Sequence, residues 1–374
     1  MSLLFIFGTR PEAIKLAPLI RRFQNTFEIK VCITSQHMEM LKQVLDFFKI
    51  PVDYDLKIME KKQTLSQVTC KVIQGIEWVL SESKPELIFV QGDTTSAFAA
   101  TLSCFYHKIP VAHIEAGLRS FNKFAPYPEE INRVLISHLA DYHFCPTKGA
   151  RENLLREGME KERIFVVGNT VVDALLEALK IIEHNQLEDK YQKEFNFIDF
   201  SKKLLLVTAH RRESFGKPLR QICLALKKLA LTFAEEIEII YPVHLNPQVE
   251  ETVKTILKDI PHIHLLPPVS YPVLVWFMKK SYFILTDSGG IQEEAPILGK
   301  PILVLRKETE RPEGIKAGIA KLIGTDENLI FREASLLISD KSVYKKMARV
   351  SYIYGDGNAS ERIFNIIKRD FYKI

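Results

Sequence analysis

The sequence predicts an α/β protein built as two doubly wound, Rossmann-like domains that face one another across a cleft. Three observations lead there. At 374 residues the chain exceeds the size at which one hydrophobic core usually stays undivided. Short continuous apolar runs, rich in β-branched and aromatic residues, alternate with helix-like stretches along the whole length. That is the pattern of parallel strands buried on both faces. The runs also fall into two series, separated by the polar stretch 183–202.

In the first series, Leu3–Phe7 is an apolar strand that stops at Gly8. Pro11 then opens a helix, Pro11–Gln24, in the first turn, where its missing N–H costs nothing. Ile29–Thr34 is the next strand. Leu87–Gln91 leads through Asp93 into the helix Ser96–His107, with Thr94, Thr95 and Ser96 available as caps. Val111–Glu115, the helix Pro128–Ala140 and the strand Tyr142–Pro146 complete the half. The second series is Leu204–Thr208, Ile237–Val243, His262–Leu265, Phe283–Thr286 and Ile302–Leu305. Right-handed crossovers between such strands wrap helices onto both faces of each sheet. The hinge falls either in the polar stretch or before it, near Gly168-Asn169-Thr170.

Composition narrows the class of function. Apolar residues make up 47% and charged residues 26%, ordinary values for a soluble globular protein. A net charge of +5 with no basic cluster suits a few cations serving an anionic small molecule, and argues against a nucleic-acid surface. Cys32, Cys70, Cys104, Cys145 and Cys223 stand singly with no CxxC, so neither a disulfide framework nor a zinc site is expected. Buried reduced thiols of a cytoplasmic protein are the expectation. Leu3–Phe7 is too short for a signal peptide or a membrane span, and no other stretch reaches spanning length.

In open parallel sheets, ligands bind beyond the carboxyl ends of the strands. Six segments at such ends carry chemistry. Gly8-Thr9-Arg10-Pro11-Glu12-Ala13-Ile14-Lys15 places a helix N-terminus, suited to phosphate, between the cations Arg10 and Lys15. The plain alternative is a strand-to-helix turn with two solvated cations. The spacing is neither a Walker A loop nor GxGxxG, which weakens ATP and NAD readings. Gln91-Gly92-Asp93-Thr94-Thr95-Ser96 offers Asp93 as a functional carboxylate or as a helix cap. In His113-Ile114-Glu115-Ala116-Gly117-Leu118-Arg119, Glu115 ends an apolar strand, where a carboxylate is costly without a partner or a task. Glu129 and Arg133, four apart on one helix, share a face, and a surface ion pair is the plain reading.

The fifth segment, Thr208-Ala209-His210-Arg211-Arg212-Glu213-Ser214-Phe215-Gly216, crowds charges around His210 at a strand end. The sixth is Thr286-Asp287-Ser288-Gly289-Gly290-Ile291-Gln292-Glu293-Glu294. Its Ser288, Gly289 and Gly290 let backbone N–H groups approach a diphosphate, and Glu294 one turn on is an acceptor for ribose hydroxyls. Arg311 lies downstream in Thr309-Glu310-Arg311-Pro312-Glu313. Asp53-Tyr54-Asp55 has the DxD form of some metal-binding transferases, but no ligand cluster neighbours it, and His262-Ile263-His264 reads as strand alternation. No metal is expected.

Together the GTRPEAIK, GDTTS, HIEAGLR, PEEINR, HRRESFG, DSGGIQEEAP and TERPE segments, with Tyr354-Gly355-Asp356-Gly357-Asn358-Ala359, resemble the non-hydrolysing UDP-N-acetylglucosamine 2-epimerases in order and spacing over nearly the whole chain. The resemblance implies a glycosyltransferase-B-like fold whose last helix returns to the first domain. The domains are then 1–168 with about 358–374, and 169–357. It implies C2 inversion of UDP-N-acetylglucosamine through anti elimination of UDP, 2-acetamidoglucal and re-addition, with no cofactor, and a homodimer. Asp93, Glu115, Glu129 and His210 match the family's catalytic positions. Arg10, Lys15, Arg133, Leu274, Ser288, Gly289, Gly290, Glu294 and Arg311 match its substrate-binding positions.

Some relatives bind a second UDP-N-acetylglucosamine as an activator. The matching positions here are Gln36, His37, Gln63, Arg211, Glu213 and His244, although Met38 and Lys62 stand where arginines are usual. Two other activities fit the same architecture: a hydrolysing epimerase, which usually has GSRAEYG-like residues at the first motif, and a glycosyltransferase-B-type transferase. A transferase needs an acceptor site and has no use for three carboxylates near the first-domain strand ends. A nucleotide-sugar sensor would carry those carboxylates without employing them.

Overall fold

The structure is a computed structural model and describes residues 1–34, 38–60, 63–211 and 214–372. The chain divides into two compact units, Met1–Glu177 with Tyr354–Ile374, and Ala178–Ile353. Each is a parallel sheet in the Rossmann manner.

The first sheet contains β1 (Ser2–Phe7), β2 (Glu28–Ile33), β3 (Tyr54–Asp55), β4 (Leu87–Gln91), β5 (Val111–Ile114), β6 (Tyr142–Cys145) and β7 (Ile164–Val166). Their spatial order is β3-β2-β1-β4-β5-β6-β7. The second contains β8 (Lys203–Thr208), β9 (Ile237–Pro242), β10 (Ile263–Leu266), β11 (Phe283–Thr286), β12 (Ile302–Val304) and β13 (Ala320–Leu322), in the order β10-β9-β8-β11-β12-β13. In both, the chain builds outward in one direction, returns to the centre and builds outward in the other. The order therefore reverses between β1 and β4 and between β8 and β11, and such a switch point opens a crevice beyond the strand ends. Gly8–Arg10 and Gly92–Asp93 flank the first crevice; Ala209–Arg211 and Asp287–Gly289 flank the second.

Every apolar run read as a strand is one. Three further strands, β3, β7 and β13, have two or three residues and lie at sheet edges. Edge strands are often short and half-solvated, so they leave no long apolar run to read. Asp53 of the DxD triplet accepts a hydrogen bond from Val31 N at 2.8 Å beside the edge strand β3, and Asp55 accepts one from Lys57 N at 3.1 Å. These carboxylates fasten an edge. The His262–His264 pair follows strand alternation in placing both rings on one side, although the strand itself begins one residue later, at Ile263. His262 precedes the strand at φ +64°, and both imidazoles meet Glu238 of β9, at 3.0 and 2.7 Å. Of the five cysteines, Cys70 is exposed, a correction to the expectation that all are buried. Among the described residues, no helix is long and apolar enough to cross a membrane.

In the first unit, the C-terminal helix Ala359–Tyr372 packs against the helix Arg10–Phe23. The Phe364 ring meets Phe23 edge-on at 5.2 Å, and the Arg22 guanidinium lies 3.5 Å from the centre of the Phe364 ring. Asp173 caps the C-terminal helix by accepting from Ala359 N at 3.3 Å and Ser360 N at 2.8 Å. Gly168 (φ +92°) and Gly355 (φ +140°) bring their two segments together so closely that a Cβ on Gly168 would stand 3.1 Å from Gly355 Cα.

Candidate active site

At the switch point of the first unit, the loop after β1 is organised by a residue that sequence reasoning passed over. Glu12, 1% exposed, accepts from Gly8 N at 3.1 Å, Thr9 N at 2.8 Å, Thr9 Oγ1 at 2.7 Å and Thr94 Oγ1 at 2.8 Å. It thereby binds the loop after β1 to the loop after β4. Burial pushes its carboxyl above the usual range, against the pull of these four donors. The signal was present, because Thr9 followed three residues later by Glu12 is a capping-box pattern. Two N–H groups at this helix start are thus occupied by the chain's own carboxylate.

Lys15, one turn into that helix, forms an ion pair with Glu115, which stands just past β5. Both side chains are buried, at 9% and 7% exposure. The same oxygen, Glu115 Oε2, accepts from Gln91 Nε2 at 2.9 Å and from Asn169 Nδ2 at 3.4 Å. Glu115 has φ +66°, a left-handed conformation that costs a non-glycine residue about 1 kcal/mol or more and tends to accompany functional sites. Helix, strand end and loop therefore converge on one carboxylate oxygen. Neither Gln91 nor Asn169 carried a recognisable signal, because each is identified only by what the fold sets beside it.

Asp93, past β4, pairs with Arg133, whose guanidinium also lies 3.2 Å from Glu130. Asn132 Nδ2 donates to Asp93 O at 2.9 Å. Glu130 in turn accepts from Ser120 N at 3.0 Å and Phe121 N at 2.8 Å, pinning the loop that follows Glu115. Glu129 is partly buried in the first turn of the helix Glu129–Leu139. Arg10 opens the helix after β1, with Nη1 3.9 Å from Met40 Sδ. Beneath the site, His113 on β5 is fully buried and hydrogen-bonded to Gly92 O at 2.7 Å; burial pushes it down to about 4, which leaves it neutral at pH 7.

At the switch point of the second unit, Asp287 organises the loop after β8. Fully buried, it accepts from His210 N at 2.7 Å and Arg211 N at 2.8 Å. The His210 ring stacks on His244 with centroids 5.1 Å apart. Burial, reinforced by the charges of Arg306 and Arg311, lowers the Arg211 guanidinium below its ordinary value. Ser288 stands at the N-terminal boundary of the short helix Gly289–Glu294, with an extended backbone and no side-chain capping bond. Gly289 lets Arg311 pack close: a Cβ there would stand 2.7 Å from Arg311 Cζ, so the guanidinium lies over the glycine and would have to move aside for a larger residue.

Arg311 is held by Glu293 Oε1 at 2.8 Å and Glu310 at 3.3 Å, and Glu310 is gripped by Arg306 at 3.0 and 3.2 Å. Burial would raise the Glu310 carboxyl, but the Arg306 hydrogen bonds and the charges of both arginines outweigh it and hold the group at about 2. Glu294 accepts from Tyr271 Oη at 2.7 Å. Arg306 and Tyr271 belong to the cluster and had no motif to announce them. Leu274 lies, half-buried, on the helix Tyr271–Lys280.

Of the residues matched to an activator site, Gln36, His37 and Glu213 lie outside the described residues. Gln63 is engaged with its own loop, donating to Ile58 O at 2.7 Å and accepting from Glu60 N at 3.0 Å. Arg211 and His244 fall on the second unit beside His210. Among the described residues, no group of three or more His, Cys, Asp or Glu side chains is placed to hold a metal ion.

Comparison with known proteins gives a consistent result. Residues 21–368 match the UDP-N-acetylglucosamine 2-epimerase family. The chain is 49% identical to the UDP-N-acetylglucosamine 2-epimerase of Escherichia coli over 373 residues, 99% of each chain. It superimposes on the Neisseria meningitidis UDP-GlcNAc 2-epimerase bound to UDP-GlcNAc with a TM-score of 0.95 and 46% identity, covering 99% of this chain and 100% of that one. The Methanocaldococcus jannaschii enzyme, in complex with UDP-GlcNAc and UDP, matches with a TM-score of 0.85 and 37% identity over 98% and 99% of the two chains.

Proposed function

The chain belongs to the UDP-N-acetylglucosamine 2-epimerase family, and on that premise we propose that it interconverts UDP-N-acetylglucosamine and UDP-N-acetylmannosamine by elimination and re-addition of UDP. The observation that carries the reading is the buried Glu115 carboxylate, fixed through one oxygen by Lys15, Gln91 and Asn169.

The C2 proton of the sugar is not adjacent to a carbonyl, so it leaves only as the anomeric bond breaks. A carboxylate takes the proton, the C2–H electron pair closes the C1–C2 double bond, and the C1–oxygen bond breaks toward UDP. In the return step a proton reaches the opposite face of C2 while a UDP oxygen rebinds C1. Two groups on two faces are required, and each must change protonation during turnover. Glu115 is assigned one face, and Asp93 or Glu129 the other. Lys15 takes a different part from that of a phosphate cation: paired with Glu115, it orients the base.

The leaving diphosphate needs preorganised positive charge. Arg311, held flat over Gly289, and the amides of Ser288, Gly289 and Gly290 are assigned to it, with Arg10 and His210 assisting. Glu294, steadied by Tyr271, is the acceptor assigned to the ribose hydroxyls. The arrangement suits an epimerase better than a transferase, because the second switch point alone would serve to hold a nucleotide.

The test is incubation with UDP-N-acetylglucosamine in D2O, followed by NMR. Deuterium at C2 together with UDP-N-acetylmannosamine is expected. Free N-acetylmannosamine with UDP would mean hydrolysis, and an unchanged substrate would remove the epimerase reading.

A further inference from the structure

We infer that Asn169 is a positioning residue for Glu115, tying the orientation of that carboxylate to the start of the helix that leads out of the first unit. The inference rests on the epimerase reading above. Asn169 is 2% exposed and serves three elements at once. Its Oδ1 accepts from Val171 N at 3.1 Å and its carbonyl from Val172 N at 3.1 Å, so it caps the helix Thr170–His184. Its own N–H donates to Tyr354 O at 2.6 Å, at the point where the chain re-enters the first unit. Its Nδ2 donates to Glu115 Oε2 at 3.4 Å.

The amide orientation follows from these contacts. Oδ1 must face the Val171 N–H, which leaves Nδ2 toward the carboxylate. The helix that Asn169 caps runs on past Glu177, the last residue of the first unit's opening segment. Gly355, at φ +140°, packs against the same place: a Cβ there would stand 3.2 Å from Asn169 N. Within the first unit, the start of the outgoing helix and the returning segment at Tyr354 and Gly355 are therefore fastened beside one side chain. Any shift of the helix start moves the amide relative to Glu115. Of the two neutral amides on that oxygen, Asn169 at 3.4 Å stands farther than Gln91 at 2.9 Å, a looseness common at catalytic groups before substrate binds.

A helix cap alone is the competing explanation, and one substitution separates the two. Asp caps a helix as well as Asn does. Asn169→Asp therefore keeps the cap but turns an acceptor oxygen toward Glu115. The other groups facing Glu115 include Lys15 from the helix after β1, Gln91 at the end of β4, and His113 on β5. Two carboxylates in that setting share a proton, so the acid limb of the kcat/KM profile should move to higher pH. We expect kcat for C2 exchange to fall about 100-fold, the loss typical of a small misplacement, with KM and UDP affinity changed less than about threefold.

Wild-type protein is run alongside in D2O. If it exchanges C2 while Asn169→Asp matches it in kcat and acid limb, the positioning role is overturned and the epimerase reading stands. If the wild type itself does not exchange, the reading fails first. Should Asn169→Asp not fold, Asn169→Ser, which caps without adding charge, decides the matter. A kcat reduced about tenfold with UDP binding intact supports the role, and wild-type kcat overturns it.

Discussion

Glu115→Gln should bind UDP with nearly wild-type affinity and lose C2 exchange by about 10³-fold or more, the scale of a removed general base. The substitution preserves shape. Gln still offers an oxygen to Lys15, Gln91 and Asn169, the donors that hold Glu115 Oε2. What it removes is the capacity to take a proton at a site that is 7% exposed, where water is a poor substitute. Apart from Arg10, the residues assigned to the nucleotide lie on the second unit, and Arg10 is not among the partners of Glu115 named above, so calorimetric titration with UDP should change little. The measurement is a pair: UDP titration and deuterium incorporation at C2 on the same preparation. Exchange at the wild-type rate would remove Glu115 from the proton path. Loss of both signals would mean that the buried Lys15 cannot tolerate a neutral partner, and that the pair is needed for the unit's integrity.

The second large effect is expected on the nucleotide side. Arg311→Lys should weaken UDP binding about 100-fold and lower the unfolding midpoint. Arg311 reaches Glu293 and Glu310 with different guanidinium nitrogens while lying over Gly289. A lysine has one compact ammonium and cannot reproduce that fork. One of two buried carboxylates then loses a partner, and breaking a buried pair costs about 3–5 kcal/mol. Glu310 keeps Arg306, so its carboxyl should rise from about 2 but remain ionised at neutral pH. Wild-type UDP affinity in this variant would remove Arg311 from the diphosphate site. A weakened affinity with an unchanged midpoint would place its contribution in binding alone.

The central strands were legible because burial on both faces writes itself as a continuous apolar run, as in Leu87–Gln91 and Phe283–Thr286. The edge strands β3, β7 and β13 were not, since two or three half-solvated residues carry no such record. Residues inside short glycine- and charge-rich motifs could be picked out singly. Their pairing could not. Lys15 and Glu115 are 100 positions apart, and nothing in either segment names the other. Arg133 was matched with Glu129 by helical spacing, whereas the fold gives it Asp93 from a neighbouring strand end and Glu130 from its own helix. The supporting shell was the least visible part. Gln91, Asn169, Tyr271 and Arg306 act through atoms that only tertiary structure brings near the site, while Glu12 had a local capping pattern that went unread.

The proposed chemistry turns on cleavage of the bond between C1 and the diphosphate oxygen, because only then does the C2 proton become removable. UDP-N-acetylglucosamine carrying 18O at that bridging oxygen tests it directly. If the sugar detaches as 2-acetamidoglucal, the β-phosphate can turn before re-addition, and the label should scramble into non-bridging positions of recovered substrate during C2 inversion. Inversion with the label confined to the bridge, and with neither 2-acetamidoglucal nor UDP detectable in quenched reactions, would contradict the elimination and the roles proposed for Glu115 and Arg311.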